Sequence, residues 1–260
     1  MQNKRKLFDI LNNYFDKIYV ITLRKSKDRH EHLKQELDGL NYTFFWGVNG
    51  KELNVDDLQR NGIYQPLHTR FIKQLNGSKI EALNGARIGC ALSHVGVYKE
   101  ILHNNYSRTL ILEDDLFVCS KTPEKLEKSL QELPDDWELF YLGHYWSHKS
   151  TSLKAKLWLT ACKIVSSLRF RKYDPKAMRG RLRRPFSDHL ELSGYQYGTH
   201  AYAVTPAGAK KILEFQTPVI QESDNAIASL CQNEWINAYN SKPSIFCQNT
   251  KLPSTIRVRR

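Results

Sequence analysis

Three consecutive carboxylates follow a short apolar run near the middle of the chain. The run Thr109–Leu112 leads directly into Glu113, Asp114 and Asp115. An apolar run of this length predicts a buried strand, and the ligands of open α/β sheets bind beyond the carboxyl ends of the strands. If the alternation of the strand continues, Glu113 and Asp115 share one face and Asp114 takes the other. Two such carboxylates suit a hard divalent cation that also holds phosphate oxygens, although an ordinary acidic turn remains the alternative.

A second acidic pair lies near the end of the chain. Glu222 and Asp224 follow Pro218 and stand immediately before an apolar run of helical spacing, Ala226 to Leu230. The positive end of a helix dipole favours an ionised carboxylate, which is the form that a general base needs. The same side chains could instead cap the helix by accepting hydrogen bonds from its free N–H groups.

Three further polar residues are candidates for a binding site. Ser93 and His94 lie on a predicted helix, 88–103, beside its apolar stripe. A structural hydrogen bond and a direct contact with a substrate are both open for this pair. His200 opens a predicted strand, where it could be a third metal ligand, a substrate contact or a buried histidine.

The patterns along the chain predict one α/β domain. A strand, a helix and a strand open it, which is the unit of parallel α/β sheets. There is no internal repeat and no low-complexity linker, so we expect a single domain over residues 1–260 with a basic insertion at 145–194. The predicted strands are 18–23, 42–48, 109–112, 137–142, 200–204 and 243–247, and the predicted helices are 26–40, 88–103 and one that begins at Thr205-Pro206.

Composition excludes several classes of protein. Hydrophobic residues make up 41% and charged residues 25%, which excludes a disordered chain, a collagen-like repeat and a disulfide scaffold. No apolar stretch reaches the roughly 18 residues that span a bilayer, and Asp9 and Asn12 interrupt the segment after the basic start, so no export signal is expected. The five cysteines are widely spaced and none forms a C-x-x-C pair. We therefore expect reduced thiols and a cytoplasmic protein.

The positive charge is concentrated in two segments. The net charge is +12, of which residues 163–184 carry +8 and the tail arginines 257, 259 and 260 carry +3. Clustered Lys and Arg add about 1 kcal/mol each near an anionic membrane. Leu153–Leu168, just before the basic segment, has the spacing of an amphipathic helix that could lie on lipid. A nucleic-acid surface is less favoured because no basic-aromatic binding module is recognisable, and a solvated insertion without a partner stays open.

Four segments, in order, carry a resemblance to a known family. They are Ile18–Leu23 with Asp28-Arg29, then Gly89–His94, then Leu110–Asp115, and finally Gly198–Tyr202 with Gly208–Leu213 and Pro218–Asp224. This series resembles glycosyltransferase family 25, the bacterial lipopolysaccharide and lipooligosaccharide galactosyltransferases, which are related to the collagen galactosyltransferases. The likeness extends over roughly residues 17 to 256.

The resemblance implies a GT-A-type, Rossmann-like nucleotide-sugar domain that needs Mn²⁺ or Mg²⁺ and uses a UDP-sugar, usually UDP-galactose. Asp115 would be the principal metal ligand. Glu113 stands where the family's DxD motif usually begins with aspartate, so it would bind either the metal or the ribose. Asp224 occupies the family's aspartate after the proline and is favoured as the base over Glu222. The candidate nucleotide-sugar contacts are Thr22, Leu23, Arg29, Ser93, His94, Glu113, Asp114 and His200.

The expected reaction is the inverting transfer of a hexose, with galactose favoured, to a hydroxyl group of a lipooligosaccharide or lipopolysaccharide acceptor. The expected location is the cytoplasm, peripheral on the inner membrane. The alternative is a catalytically inactive protein of the same fold that binds anionic membrane or nucleic acid through its basic insertion. A phosphotransferase is less favoured because the chain has no G-x-x-x-x-G-K-[ST] loop.

Overall fold

The computed structural model describes residues 2–65, 82–144, 152–167 and 179–250. These residues form an α/β domain around one large mixed sheet. The strands are β1 Lys17–Thr22, β2 Thr43–Trp46, β3 Thr109–Glu113, β4 Leu116–Val118, β5 Leu139–Gly143, β6 Arg184–Pro185, β7 Leu190–Leu192, β8 Ala201–Val204, β9 Ala238–Ser241 and β10 Phe246–Gln248. The helices are α1 Gln2–Tyr14, α2 Lys27–Glu36, α3 Val55–Arg60, α4 Gly85–Asn104, α5 Pro123–Gln131, α6 Leu153–Ser167, α7 Pro206–Gln216 and α8 Ser223–Gln232, with a short 3₁₀ turn at Gly50–Glu52.

Within the described ranges, eight strands form the large sheet in the order β2-β1-β3-β8-β5-β9-β7-β6. β1 pairs in parallel with β2 and β3, and β5 pairs in parallel with β9. β8 runs antiparallel between β3 and β5. The carboxyl ends of β1 and β3 therefore lie at the same end of the strands as the segment that leads into β8. Open α/β sheets bind their ligands beyond the carboxyl ends of the strands.

Both faces of the sheet are covered, which explains the nearly continuous apolar sequence of the central strand β3. Leu110 and Leu112 belong to a core that includes Leu7 and Phe8 of α1 and residues of α2 and α5. Ile111, between them, faces the opposite way into a core shared with α4, α7 and α8. Residues Thr109 to Leu112 are all fully buried.

The start of α4 lies against the 3₁₀ turn at Gly50–Glu52 with no room for side chains between them. A Cβ built on Gly85 would meet the carbonyl oxygen of Gly50, and a Cβ on Gly89 would meet the backbone of Val48 and Gly50. The side chain of Asn84 accepts a hydrogen bond from the backbone N–H of Arg87 and caps the helix. This contact fixes the segment after β2 beside α4.

The structure confirms the opening strand-helix-strand unit and the long helix α4. It also confirms that α7 begins at Pro206, with Thr205 accepting from the backbone N–H of Gly208. Sequence patterns missed α1, α3, α5, β4, β6, β7 and β9. In α1, for example, the apolar residues Leu7, Phe8, Ile10 and Leu11 are interrupted by Asp9 and flanked by Lys, Arg and Asn, so the sequence resembles a polar terminus.

Part of the predicted insertion at 145–194 lies outside the described residues, namely 145–151 and 168–178, as do the tail arginines. The described part forms α6 and the strands β6 and β7, which extend the edge of the large sheet. None of the helices described is both long and apolar enough to span a membrane.

The expectation of reduced thiols is wrong for two of the five cysteines. Cys119 and Cys247, whose Cα atoms are 5.7 Å apart, form a disulfide. It lies beside the separate two-stranded sheet in which β4 pairs antiparallel with β10. The spacing of the cysteines could not show this pairing because the two residues are 128 positions apart. Among the described residues Cys90, Cys162 and Cys231 are free.

Candidate active site

A buried group of three polar side chains joins the end of β1 to α2 and to the turn after β3. Thr22 donates a 2.6 Å hydrogen bond to Oδ2 of Asp114, and the guanidinium group of Arg29 pairs with Oδ1 of the same carboxylate. All three residues are buried. The parallel register of β1 with β3, in which Ile21 lies opposite Glu113, brings them together. We call Thr22, Arg29 and Asp114 the Arg29 knot.

The turn after β1 is folded onto its own side chains. The carbonyl oxygen of Leu23 accepts a hydrogen bond from the backbone N–H of Ser26. Nε2 of His30 lies 3.1 Å from that carbonyl oxygen and 3.0 Å from the hydroxyl of Thr22. The structure therefore brings the three predicted contacts Thr22, Leu23 and Arg29 together at one turn.

Glu113 points away from the Arg29 knot, toward β8 and α4. Thr199 donates a 2.5 Å hydrogen bond to Oε1 of Glu113, and Nε2 of His94 lies 3.4 Å from the same oxygen. Nδ1 of His94 is 2.8 Å from the hydroxyl of Tyr202, which is 2.6 Å from the hydroxyl of Tyr98. A buried series of polar side chains, His94, Tyr202 and Tyr98, thus begins at this carboxylate and extends into the protein.

Two effects act on the pKa of Glu113 in opposite directions. Burial raises this pKa, but the hydrogen bond and charge of His94, together with the hydrogen bond from Thr199, outweigh burial and lower the pKa below its ordinary value. Glu113 is therefore ionised at neutral pH.

Asp115 has one carboxylate oxygen that the described protein groups leave unpaired. Its Oδ2 accepts a 2.8 Å hydrogen bond from Nε2 of Gln248 and lies 3.8 Å from the guanidinium group of Arg29. Its Oδ1 is buried and has no hydrogen-bond partner among the described residues. Burial and the charge of Glu113 raise the pKa of Asp115 to about 6. Because β3 ends at Glu113, the strand alternation assumed for Asp115 does not extend to it.

Asp224 and Glu222 lie at the start of α8, as predicted, but they have different partners. Asp224 accepts a 2.8 Å bond from the backbone N–H of Asn225 and a long 3.4 Å bond from that of Gly198. Glu222 pairs with Arg87 at 2.9 Å through one oxygen and accepts from the side chain of Asn225 through the other. Glu222, at the cap position, makes no side-chain cap bond, whereas Asp224 accepts from one of the free N–H groups in the first turn of α8, as the capping alternative predicts.

The pKa of Asp224 is shifted upward. Burial is the main cause, and the charge of Glu222 adds to it, while the bonds from Asn225 and Gly198 oppose it. A carboxylate whose pKa lies above its usual range is a stronger proton acceptor when it is ionised.

Ser93 and His200 are both buried and pack against other parts of the fold. Ser93 donates to the carbonyl oxygen of Gly89 and accepts from the backbone N–H of Val48, so it ties α4 to the segment after β2. The ring of His200 lies against Gly143, where a Cβ would be 2.8 Å from Nε2. Burial lowers the pKa of His200, which favours the neutral imidazole.

The segment Gly198-Thr199 links the two acidic pairs. Gly198 donates to Asp224 and Thr199 donates to Glu113. Gly198 has a positive φ of 89°, a conformation that favours glycine. Burial raises the pKa of Cys90 on α4, and the charges of Glu113, Asp115, Glu222 and Asp224 raise it further. Both acidic pairs therefore lie close enough to α4 to interact electrostatically with one of its residues.

Sequence reasoning missed the supporting residues Thr199, Gln248 and Asn225. Thr199 lies inside one of the quoted segments, and its position between Gly198 and His200 was a usable signal. No sequence signal indicated Gln248, because it contacts Asp115 from 133 positions away in the sequence.

The acids fit a metal that takes most of its ligands from a substrate. Among the described residues no three His, Cys, Asp or Glu side chains are grouped so as to hold a metal ion by themselves. The unpaired buried oxygen of Asp115, with Glu113 as its acidic neighbour, suits an ion that binds one or two carboxylates and completes its shell with phosphate oxygens and water.

The protein is of the mixed α/β class, and its carboxylates lie where open α/β sheets bind their ligands. Residues 15–227 match the family described as "Glycosyltransferase family 25 (LPS biosynthesis protein)". The chain belongs to this family, which confirms the resemblance found in its sequence.

Individual relatives differ in what their names state. The chain is 30% identical over 140 residues to procollagen galactosyltransferase 2 of Mus musculus, a match that covers 50% of this chain and 21% of the relative. It is 25% identical over 207 residues to the "Probable inactive glycosyltransferase 25 family member 3" of Bos taurus, covering 78% and 29%. These matches thus span less than a third of each relative's length.

Among solved structures, the mannosyltransferase Ktr4p from S. cerevisiae overlaps 91% of this chain and 72% of its own, with 11% identity and a TM-score of 0.33. A TM-score of this size carries no argument about the fold, which rests here on the strand order.

The first prediction concerns the Arg29 knot. Arg29→Ala leaves the carboxylate of Asp114 buried without its cation, so we expect the free energy of unfolding to fall by about 3–5 kcal/mol. The control is Lys34→Ala on the same helix, which removes an exposed pair with Glu31 and should cost less than about 1 kcal/mol. Urea unfolding measures both values. Equal losses in the two variants would show that the buried pair is not what holds the turn.

Proposed function

We propose that this chain is a metal-dependent inverting glycosyltransferase of the GT-A type. It moves a hexose, with galactose favoured, from a UDP-sugar to a hydroxyl group of a lipooligosaccharide or lipopolysaccharide acceptor. The observation that supports this best is that two acidic sites are held by adjacent residues of one segment. Thr199 donates to Glu113, whose neighbour in sequence is Asp115, and Gly198 donates to Asp224. Such a transfer needs one site for a departing diphosphate and another for an attacking hydroxyl.

The donor side of the proposal lies at Asp115. Asp115 would hold Mn²⁺ or Mg²⁺, and Glu113 would bind the same ion or the ribose. When bound, the ion supplies positive charge that neutralises the diphosphate. The chain's own contribution is orientation, because the bonds from Gln248 to Asp115 and from Thr199 to Glu113 fix both carboxylates. The turn of Thr22, Leu23 and Arg29 would line the nucleotide, with the backbone of this turn held by the Arg29 knot.

The acceptor side lies at Asp224. As the acceptor oxygen forms its bond to the anomeric carbon, the bond from that carbon to the diphosphate oxygen breaks and UDP leaves. Asp224 takes the proton of the hydroxyl, and attack from the face opposite UDP inverts the configuration. We favour Asp224 because burial raises its pKa, whereas one oxygen of Glu222 is already held in an ion pair with Arg87.

The second candidate is an inactive transferase fold that works as a surface-binding protein. The match to a relative described as probably inactive favours it, since family membership alone does not establish chemistry. This candidate predicts that neither UDP nor a metal binds at the cleft.

We place the protein at the anionic inner surface of the cytoplasmic membrane, where its acceptor would be lipid-linked. This location no longer rests on the cysteines, because the Cys119–Cys247 disulfide removes the argument from reduced thiols. Helix α6 supports this location. Leu153, Leu157 and Ile164 are 72%, 62% and 54% exposed, and their spacing of four and seven residues puts them on one face, with the buried Cys162 opposite. The net +8 of residues 163–184 complements anionic lipid headgroups.

The second prediction tests donor binding. UDP with Mn²⁺ at about 100 times the dissociation constant should stabilise the chain by about 2.7 kcal/mol, which raises Tm by several degrees. Asp115→Asn should abolish most of this Tm shift while leaving the fold intact, because the substitution removes the metal ligand. The exposed Asp135→Asn is the matched control and should keep the shift. If wild type does not respond to UDP with Mn²⁺, the inactive candidate is favoured.

The third prediction separates the two possible bases. Asp224→Asn should lower kcat by roughly 10²- to 10⁴-fold, the usual contribution of a general base, with little change in the affinity for UDP. Glu222→Gln should lower kcat far less. The measurement is UDP release with a saccharide acceptor, over a panel of UDP-sugars with Mn²⁺. The opposite order of the two variants would assign the base to Glu222.

The fourth prediction tests the membrane surface. The full chain should sediment with vesicles that contain anionic phosphatidylglycerol, less so at high salt, and only weakly with pure phosphatidylcholine. Charging the exposed face by Leu157→Glu with Ile164→Glu should reduce this binding at least tenfold. Ile63→Glu, which charges an exposed apolar residue near α3, should not. Binding that ignores both lipid charge and the α6 substitutions would contradict the location.

A further inference from the structure

An exposed aromatic ring stands next to the residue that donates to Asp224. Tyr197 is 47% exposed, although Gln196 before it is fully buried and Thr199 nearly so. The following residue, Gly198, is the backbone donor to Asp224. Single exposed aromatic rings are ordinary on protein surfaces, so the position beside the proposed base is what distinguishes this one.

The two residues before Tyr197 are fixed by hydrogen bonds. Gln196 forms a reciprocal pair of amide hydrogen bonds with the buried Asn240, at 2.8 and 3.1 Å. Tyr195 donates a 2.9 Å hydrogen bond to Asn225, the neighbour of Asp224 on α8. The backbone N–H of Tyr195 also donates to the carbonyl oxygen of Arg181. The ring of Tyr197 is therefore presented from a fixed backbone and not from a free loop.

Tyr195 and Arg181 extend the surface around the exposed ring. The rings of Tyr195 and Tyr197 meet edge to face with centroids 5.5 Å apart. The guanidinium carbon of Arg181 lies 5.0 Å from the centroid of the Tyr195 ring. An apolar ring with a cationic donor group close by suits a sugar, which has an apolar face of C–H groups and a rim of hydroxyl groups.

We infer that Tyr197 stacks against the acceptor saccharide and that Tyr197, Tyr195 and Arg181 form one wall of an acceptor subsite. This inference rests on the proposed function, since it takes Asp224 as the base that faces the acceptor hydroxyl. The stacked sugar is a pyranoside, and the ring fixes the distance of its hydroxyl from Asp224. Gly198, directly after Tyr197, is bound to Asp224, and the bond to the proposed donor group Glu113 comes from the next residue, Thr199.

The kinetic test is a split between the two substrates. Tyr197→Ala should raise the KM for the acceptor about three- to tenfold and change the KM for the UDP-sugar less than twofold. Tyr197→Phe keeps the ring and should restore the acceptor KM to within twofold of wild type. An equal rise in both KM values, or an unchanged acceptor KM in Tyr197→Ala, would overturn the subsite.

The matched control is Trp235→Ala. Trp235 is 39% exposed and meets Phe215 edge to face, so it resembles Tyr197 in exposure and packing. It lies beyond the far end of α8, roughly 15 Å along the helix axis from Asp224. Both KM values should be unchanged in this variant.

A binding measurement separates this inference from the proposed chemistry. Saturation-transfer NMR with methyl glycosides of galactose, glucose and N-acetylglucosamine is applied to the full chain and to Asp224→Asn, in which transfer is removed. Binding of a glycoside that is retained in Asp224→Asn and lost on adding Tyr197→Ala supports the subsite, even if no UDP-sugar is turned over. Absence of glycoside binding to the wild-type chain, or binding that survives Tyr197→Ala, would refute it.

Discussion

The buried ion pair of Arg29 with Asp114 is the interaction on which the arrangement of the acidic residues after β3 depends. Ion pairs are costly to bury unless their remaining hydrogen-bonding capacity is satisfied, and here Thr22 supplies a donor to the second oxygen of Asp114. By drawing the middle of three consecutive acids into the protein, the pair leaves Glu113 and Asp115 to face other partners. A run of three like charges is thereby divided into one structural residue and two that can take part in binding.

The two remaining acidic sites depend on groups from distant parts of the chain. Thr199 and His94 fix Glu113, Gln248 fixes Asp115, and Gly198 reaches Asp224. The segment that leads into β8 therefore contacts both the proposed donor side and the proposed acceptor side. Rigid support of this kind is what holds reacting groups at a productive separation, because little motion is left to be lost when substrates bind.

Membership in glycosyltransferase family 25 sets the class of protein but does not by itself establish activity. One relative is a procollagen galactosyltransferase and another is described as probably inactive, and the chain spans less than a third of either. Activity must therefore be argued from the side chains. The two separate acidic sites are the basis of the proposed chemistry.

The sequence alone determined the features that depend on neighbouring residues. Apolar runs predicted the central strands, the Thr205-Pro206 pair predicted the start of α7, and the quoted segments predicted the family. Only the tertiary structure decided the pairing of Asp114 with Arg29, the bond from Gln248 to Asp115 and the Cys119–Cys247 disulfide. These contacts join residues 85 to 133 positions apart. Local patterns carry no information about such pairs, because the packing of the sheet and its helices brings them together.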